Sequence, residues 1–185
     1  MERLEPKTNL LGKRSKLFVP DFFVKSVTEI EPRKLKNLGV SAVAFDVDST
    51  LVAHGSKKFS PKIIKFLDEM RELDFIEGIA LASNRSKNGL AKIAREHNFK
   101  LVHASLYSRK PSLSYYRRLS QILNVKPRQI AMVGDKLLQD VYGANKVGMV
   151  SILVEPLGPQ AWYDALLMRR ARQTMKLKRI SRKQK

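Results

Sequence analysis

A doubly wound α/β domain with a parallel five-stranded sheet is the fold this sequence predicts, and three features carry that expectation. Five short apolar runs recur along the chain with polar or turn residues at their ends: Ala42–Phe45, Ile79–Ala82, Leu101–Ala104, Ile130–Val133 and Val150–Val154. Runs of that length without polar alternation suit strands buried on both faces. Stretches with apolar residues at helical spacing separate them, and such an alternation builds a parallel sheet with helices on both sides.

Residues 1–16 are polar and basic without periodicity, and read as a flexible lead-in to a domain spanning residues 17–158. Leu17–Val24 is an apolar patch interrupted by Pro20 and Asp21, which either packs on the domain or dips into a lipid surface. Ser60 and Pro61 supply an N-cap and a first-turn proline, and Ile63, Ile64, Leu67 and Met70 follow at helical spacing. A second helix is expected from about Ser86 to His97, with Leu90, Ile93 and Ala94 inward. A third follows Pro111, sets Leu113, Tyr116, Leu119 and Leu123 on one side, and stops at Asn124. The fourth starts after Asp135 and ends near Gly148, with Gly143 allowing close packing of helix on sheet. Beyond Pro159, residues 159–185 read as a basic helical tail in which Tyr163, Leu167, Ala171 and Met175 form one i,i+4 stripe.

A chain of 185 residues that is 43% apolar is long enough to bury one core without metal or disulfide staples. With no cysteine it has neither a disulfide framework nor a thiolate zinc site, which fits a reducing compartment. No apolar run approaches the roughly 20 residues needed to cross a bilayer, and the N-terminus lacks the apolar stretch of a secretory signal. The expectation is a cytoplasmic protein, or one held peripherally at the inner face of the membrane. Thirty-six basic against 17 acidic side chains give a formal charge of +19, and this excess calls for a polyanionic partner. Residues 159–185 concentrate nine Lys/Arg against the single acid Asp164. Near anionic lipid such residues gain about 1 kcal/mol each. The same charge serves nucleic-acid phosphates, and a solvated end needs neither.

The acids fall where α/β sheets bind ligands, beyond the carboxyl ends of strands. Ala42–Phe45 runs into Asp46-Val47-Asp48-Ser49-Thr50, and Ile130–Val133 runs into Gly134-Asp135. If those strands are neighbours, Asp46, Asp48 and Asp135 converge, and three like charges so close call for a cation. Oxygen-only ligands favour Mg2+ over zinc. Ser83 and Asn84 end the second strand and offer a hydroxyl and backbone N–H groups, while Lys110, ending the loop after the third, offers a point charge for phosphate oxygens. Carboxylate, hydroxyl, lysine and carboxylate at successive strand ends can position a phosphoryl group and neutralise its transition-state charge. Alone, a D-x-D is more often a solvated turn, Lys110 a surface lysine and Ser83 a helix cap; four in order are a different matter. His54, His97 and His103 have no ligand-like spacing.

With these residues in view, the chain resembles the haloacid dehalogenase (HAD) superfamily phosphatases of subclass IIIA. Asp46-Val47-Asp48-Ser49-Thr50 matches their first motif, D-x-D-x-T, Ser83 the second, and Lys110 the third. Gly134-Asp135-Lys136-Leu137-Leu138-Gln139-Asp140 matches the fourth, G-D-x-x-x-x-D. Within the superfamily it is similar to the YqeG-like, phosphatidylglycerophosphate phosphatase-like branch. Pro20-Asp21, Val24-Lys25-Ser26-Val27, Gly143-Ala144-Asn145 and Ile152-Leu153-Val154-Glu155-Pro156 carry that likeness, over roughly residues 17–156. Ser49 departs from it, because that branch usually has Asn there.

The resemblance implies a Mg2+-dependent phosphatase in which Asp46 is the nucleophile and Asp48 the general acid and base. It implies a cation held by Asp46, the Asp48 backbone carbonyl and Asp135, with Asp140 orienting Lys110 or a metal-bound water. Ser83, Asn84 and Lys110 bind the phosphoryl group. Ten residues separate Thr50 from Pro61, and five separate Ala104 from Lys110. Neither gap holds a cap domain, which needs roughly 50 residues, so the site is expected to be open. An open site suits a phosphomonoester on a large carrier, and phosphatidylglycerophosphate, an anionic phospholipid, is the favoured one. The alternatives are nucleic-acid ends, soluble phosphomonoesters, or a non-enzymatic protein docking on ribosomal RNA.

Overall fold

The central strands of this protein are short because they are buried on both sides and end where polar turns begin. In the computed structural model, residues 1, 16–53, 56, 58–84 and 90–158 are described. The basic tail, most of the lead-in, His54 and the start of the second predicted helix lie outside them. The strands are β1 (Phe22–Val24), β2 (Ala42–Phe45), β3 (Gly78–Ser83), β4 (Lys100–His103), β5 (Ile130–Gly134) and β6 (Val150–Val154). The helices are α1 (Pro32–Asn37), α2 (Pro61–Arg71), α3 (Ala91–Glu96), α4 (Leu113–Leu123) and α5 (Gly143–Val147). A π-helical stretch, Leu137–Tyr142, leads into α5.

All strand pairs are parallel, in the order β1-β6-β5-β2-β3-β4. The sheet therefore has six strands, not the five expected. The addition comes from the Leu17–Val24 patch: Phe22, Phe23 and Val24 pair with Ile152, Leu153 and Val154. Asp21 secures this edge, its backbone N–H donating to Ser151 Oγ at 3.1 Å and its carboxylate accepting from the Ser151 N–H at 3.0 Å. Asn145 Nδ2 donates to the carbonyls of Leu17 and Val19, and Phe18 stacks on Tyr142. Of the two readings of this patch, packing on the domain is the one observed.

Strand alternation sends side chains to two cores. Val43, Phe45, Leu81, Val133 and Ile152 meet Leu35 of α1, Leu67 and Met70 of α2 and Ala94 of α3 on one face. The other face is lined by Ala42, Ala44, Ala80 and Ala82, and that shallow floor accepts Tyr115, Tyr116, Leu119 and Leu123 of α4. Helices on both faces make the sheet doubly wound, as predicted. Ser60 caps α2 by accepting from the Ile63 N–H at 3.3 Å, with Pro61 in the first turn. Asn124 stops α4 in the left-handed conformation at φ 61°. Two details differ from expectation. Leu113 opens α4 facing solvent, while Tyr115 takes the buried position. A Cβ on Gly143 would lie 2.3 Å from a Tyr116 ring carbon, so this glycine admits helix α4 rather than the sheet.

Candidate active site

The chain leaves β2 for β3 on one side, and β5 returns on the other side of β2. That reversal opens a crevice beyond the carboxyl ends of β2 and β5. Asp46 stands there, its N–H continuing the ladder to the Val133 carbonyl at 2.8 Å. The following loop folds tightly: the N–H groups of Leu51 and Val52 both donate to the Val47 carbonyl, at 3.0 and 3.1 Å. Ser49 turns the corner at φ 62°. This region is strained for most L-residues and easier for Asn, which gives the departure at this position a physical meaning.

Lys110 comes in from the β4–α4 connection and is buried, only 2% exposed. Its ammonium donates to Asp46 Oδ1 at 2.5 Å, Asp140 Oδ1 at 2.7 Å and the Ala82 carbonyl at 3.0 Å. Three acceptors match the three donors of an ammonium. Burial disfavours the charge, but Asp140 and then Asp46 outweigh it and hold the pKa well above the ordinary lysine range. The loop is pinned from Asn84, whose Oδ1 accepts from the Lys110 N–H at 2.9 Å. Asn84 Nδ2 donates to the Lys110 carbonyl at 3.2 Å and to Gln139 Oε1 at 3.1 Å. Ser83, buried at the end of β3, gives its carbonyl to the Ala104 N–H at 3.0 Å.

The fourth motif works through its glycine and its wide winding. Asp140 Oδ2 accepts from the Lys136 N–H at 3.0 Å, so the carboxylate folds back over the strand end. A Cβ on Gly134 would lie 2.3 Å from Asp140 Cγ, and only glycine leaves room. Val141 N–H reaches back five residues to the Lys136 carbonyl at 3.3 Å, a π-type turn of the kind that recurs at functional sites. Tyr116 Oη ties this turn to α4 by donating to the Gln139 carbonyl.

Carboxylate oxygens of Asp46, Asp135 and Asp140 lie within 4.8 Å of one another, and all three residues are buried. The expectation gathered Asp46, Asp48, Asp135 and Asp140 around a cation, Asp48 through its backbone carbonyl; among the described residues the side-chain cluster holds Asp46, Asp135 and Asp140, and Asp48 is half-buried on the adjoining loop. Burial first, and then the Asp140 charge, pushes Asp135 up to about 7. Among the described residues its Oδ1 accepts only long contacts, from Thr50 Oγ1 and Lys136 Nζ, both at 3.4 Å. Burial likewise raises Asp140, against the pull of Lys110. Three buried carboxylates facing one deep ammonium form an acidic, oxygen-only set, and that chemistry fits a hard divalent cation.

A profile of the family described as mitochondrial PGP phosphatase matches residues 6–157. The chain belongs to that family. The relatives in that family are phosphatases, and the chain is a phosphoric monoester hydrolase. "Probable phosphatase YqeG" of Bacillus subtilis (strain 168) is 30% identical over 142 residues, covering 77% of this chain and 80% of that protein. "Phosphatidylglycerophosphate phosphatase 1, chloroplastic/mitochondrial" of Arabidopsis thaliana is 24% identical over 164 residues, 85% of this chain and 46% of that one. A glyceraldehyde 3-phosphate phosphatase of Methanopyrus kandleri is 27% identical over 129 residues, 65% of this chain and 55% of that one. The chain thus spans four-fifths of YqeG but about half of the other two. Among solved structures, a HAD-like hydrolase of Streptococcus pneumoniae shares the fold at a TM-score of 0.52 and 15% identity, over 69% of this chain and 90% of that one.

Thr50, Lys136 and Gln139 all sit inside the first and fourth motifs, yet the motifs alone assign them no part, and their contacts with Asp135 and Asn84 emerge only in the fold. Lys136 beside Asp135 was the available signal. His97 stacks on Phe99 and His103 Nδ1 pairs with the Ala104 carbonyl at 2.9 Å, both outside the carboxylate cluster. The connections at 51–60 and 104–110 are too short for a cap domain.

Proposed function

We propose that this enzyme hydrolyses the terminal phosphomonoester of phosphatidylglycerophosphate, giving phosphatidylglycerol and inorganic phosphate through an aspartyl-phosphate on Asp46. The observation that carries the chemistry is the buried Lys110 ammonium, 2.5 Å from Asp46 Oδ1 within a three-carboxylate cluster at the switch point. The family match and the open site support the lipid substrate.

An Asp46 oxygen attacks phosphorus as the bond from phosphorus to the leaving oxygen breaks, and protonated Asp48 delivers its proton to that alkoxide. Asp48, now a carboxylate, takes a proton from water; the water oxygen attacks phosphorus, the bond to Asp46 breaks, and phosphate leaves. The Ser83 hydroxyl holds a phosphoryl oxygen, and Lys110, giving up its bond to Asp46 as that carboxylate attacks, turns to another and offsets charge that develops in the transition state. Asn84 acts by fixing the Lys110 backbone. Asp140, with both oxygens already accepting from Lys110 and Lys136, holds the ammonium in line. Asp46, Asp135 and the Asp48 backbone carbonyl would hold Mg2+, which when bound supplies positive charge against the crowded carboxylates and the phosphate.

The test incubates purified protein and an Asp46→Asn variant with vesicles containing phosphatidylglycerophosphate. Parallel reactions contain 3′-phosphorylated oligonucleotides, glyceraldehyde 3-phosphate and small aryl phosphates. Release of phosphate from vesicles, reduced by at least about a thousandfold in the variant because the nucleophile is gone, is the expected result. Release only from soluble esters transfers the reading to the reaction named for the archaeal relatives. A variant with ordinary turnover removes the covalent mechanism.

A further inference from the structure

The connection that delivers Lys110 also carries the two most exposed large apolar side chains among the described residues, Leu106 at 84% and Tyr107 at 88%. They occupy the centre of a four-residue turn. Ser105 N–H donates to the Ser108 carbonyl at 2.8 Å, and Ser108 N–H to the Ser105 carbonyl at 3.2 Å. Ser108 is buried beneath the turn, and Ser114 Oγ donates to the Tyr107 carbonyl at 3.3 Å, so the tip is held rather than loose. Turn centres ordinarily carry Gly, Asn, Asp or Pro for conformational reasons. Leu and Tyr bring nothing to such a turn unless something outside the molecule receives them.

Position says what receives them. All strands are parallel, so this tip projects from the edge on which Asp46, Ser83 and Asp135 lie. Leu138 and Leu157 are also exposed on that edge, and the Leu157 N–H bonds the Ser49 carbonyl at 2.7 Å, beside the Asp46 loop. Lys25, Lys58 and Arg109 are exposed on loops of the same edge, in a chain whose formal charge is +19. A tyrosine with a neighbouring leucine and flanking cations is the composition that settles at a bilayer interface, ring at headgroup depth and ammonium groups on anionic lipid. The tip is convex, so it offers no groove to a peptide; a deformable medium is what it can bury itself in.

We propose that Leu106 and Tyr107 insert into the interface of an anionic bilayer and hold the open catalytic edge against it. For its purpose this rests on the lipid-substrate reading above, which it deepens by naming the surface on which the reaction runs. Docking itself is measurable without turnover.

The chain has no cysteine, so Leu106→Cys in the full-length protein can carry one environment-sensitive fluorophore. Arg128→Cys, exposed before β5 at the opposite edge, is the control. On vesicles containing phosphatidylglycerol, emission from position 106 should shift to the blue while emission from 128 stays that of water. A Leu106→Ser/Tyr107→Ser double variant should lose at least about tenfold in vesicle affinity, the scale set by removing one well-buried apolar side chain. It should lose turnover of vesicle-borne phosphatidylglycerophosphate in step, while turnover of an aryl phosphate in solution is kept. Water-like emission at 106 on bound protein, or wild-type vesicle affinity in the double variant, overturns the proposal. Insertion at 106 with phosphate released only from soluble esters keeps the docking and removes the lipid substrate. Equal lipid turnover by both proteins, without insertion, does the reverse.

Discussion

Asp135 and Asp140 belong to one motif and one cluster, yet the protein finishes them differently. Asp140 has an ammonium at 2.7 Å on one oxygen and a backbone N–H at 3.0 Å on the other. Asp135 has contacts only at 3.4 Å, and burial lifts it to about 7. The Lys110–Asp140 half of the site is thus balanced from within the fold, with Asn84 and Gly134 keeping it in place. The Asp135 half is left short of positive charge, which is the condition for an exchangeable cation. A permanent half and an exchangeable half respond to different perturbations.

The largest effect should come from Lys110→Met, which strands two buried carboxylates. Removing one partner of a buried pair costs roughly 3–5 kcal/mol, read as a lowered denaturation midpoint together with loss of phosphatase activity. A stability unchanged within ~1 kcal/mol would mean that the permanent half is not an ion-pair structure at all. Gly134→Ala comes next. Its Cβ displaces Asp140, and overpacking of that kind costs about 1–3 kcal/mol; turnover should fall more than stability, since Lys110 loses its anchor.

The exchangeable half is probed by pH. The folded Asp135 carboxyl holds its proton to about 7 against an ordinary 3.8, so as pH rises from 4 to 7 the unfolded chain releases that proton first. This group's share of cation-free stability is therefore greatest below pH 4 and is lost as pH climbs through 7. In the proposed site a divalent cation would replace the proton, so added Mg2+ should raise the melting temperature more at pH 8 than at pH 5.5. An equal or reversed gain would count against Asp135 as its ligand. The smallest effect is expected at Ser49→Asn, where a residue more at ease with positive φ should recover about 0.5 kcal/mol of the roughly 1–3 kcal/mol such strain costs. Thermal melts of the pair would show it, with activity unchanged.

What the sequence made legible follows from how local each signal is. Ala42–Phe45 and Val150–Val154 match the observed strands at both ends: the first is apolar and buried throughout, and in the second the one polar residue, Ser151, is buried with Asp21 as its partner. β1 escaped notice since three residues after Pro20-Asp21 carry no periodicity; the β6 edge makes them a strand. Short α1 was passed over for the same reason, with Leu35 its only buried residue. In the site, Asp46, Ser83, Lys110 and Asp135 were placed by strand ends, a property of sequence. Asp140 was placed at the site by its spacing in the fourth motif, but the π winding that carries it was not legible, since an α-helix was expected after Asp135 and the wider turn depends on Gly134 leaving space. The bracing role of Asn84 needed the Lys110 loop in three dimensions.

Lys110 joins Asp46, 64 positions earlier, to Asp140, 30 positions later. A chain still emerging from the ribosome possesses Asp46, the proposed nucleophile, long before it possesses Asp140, which holds the lysine in line. On the proposed mechanism a fragment ending short of Asp140 should show no turnover, and recovery of turnover after dilution from denaturant would clock the meeting of those three distant stretches.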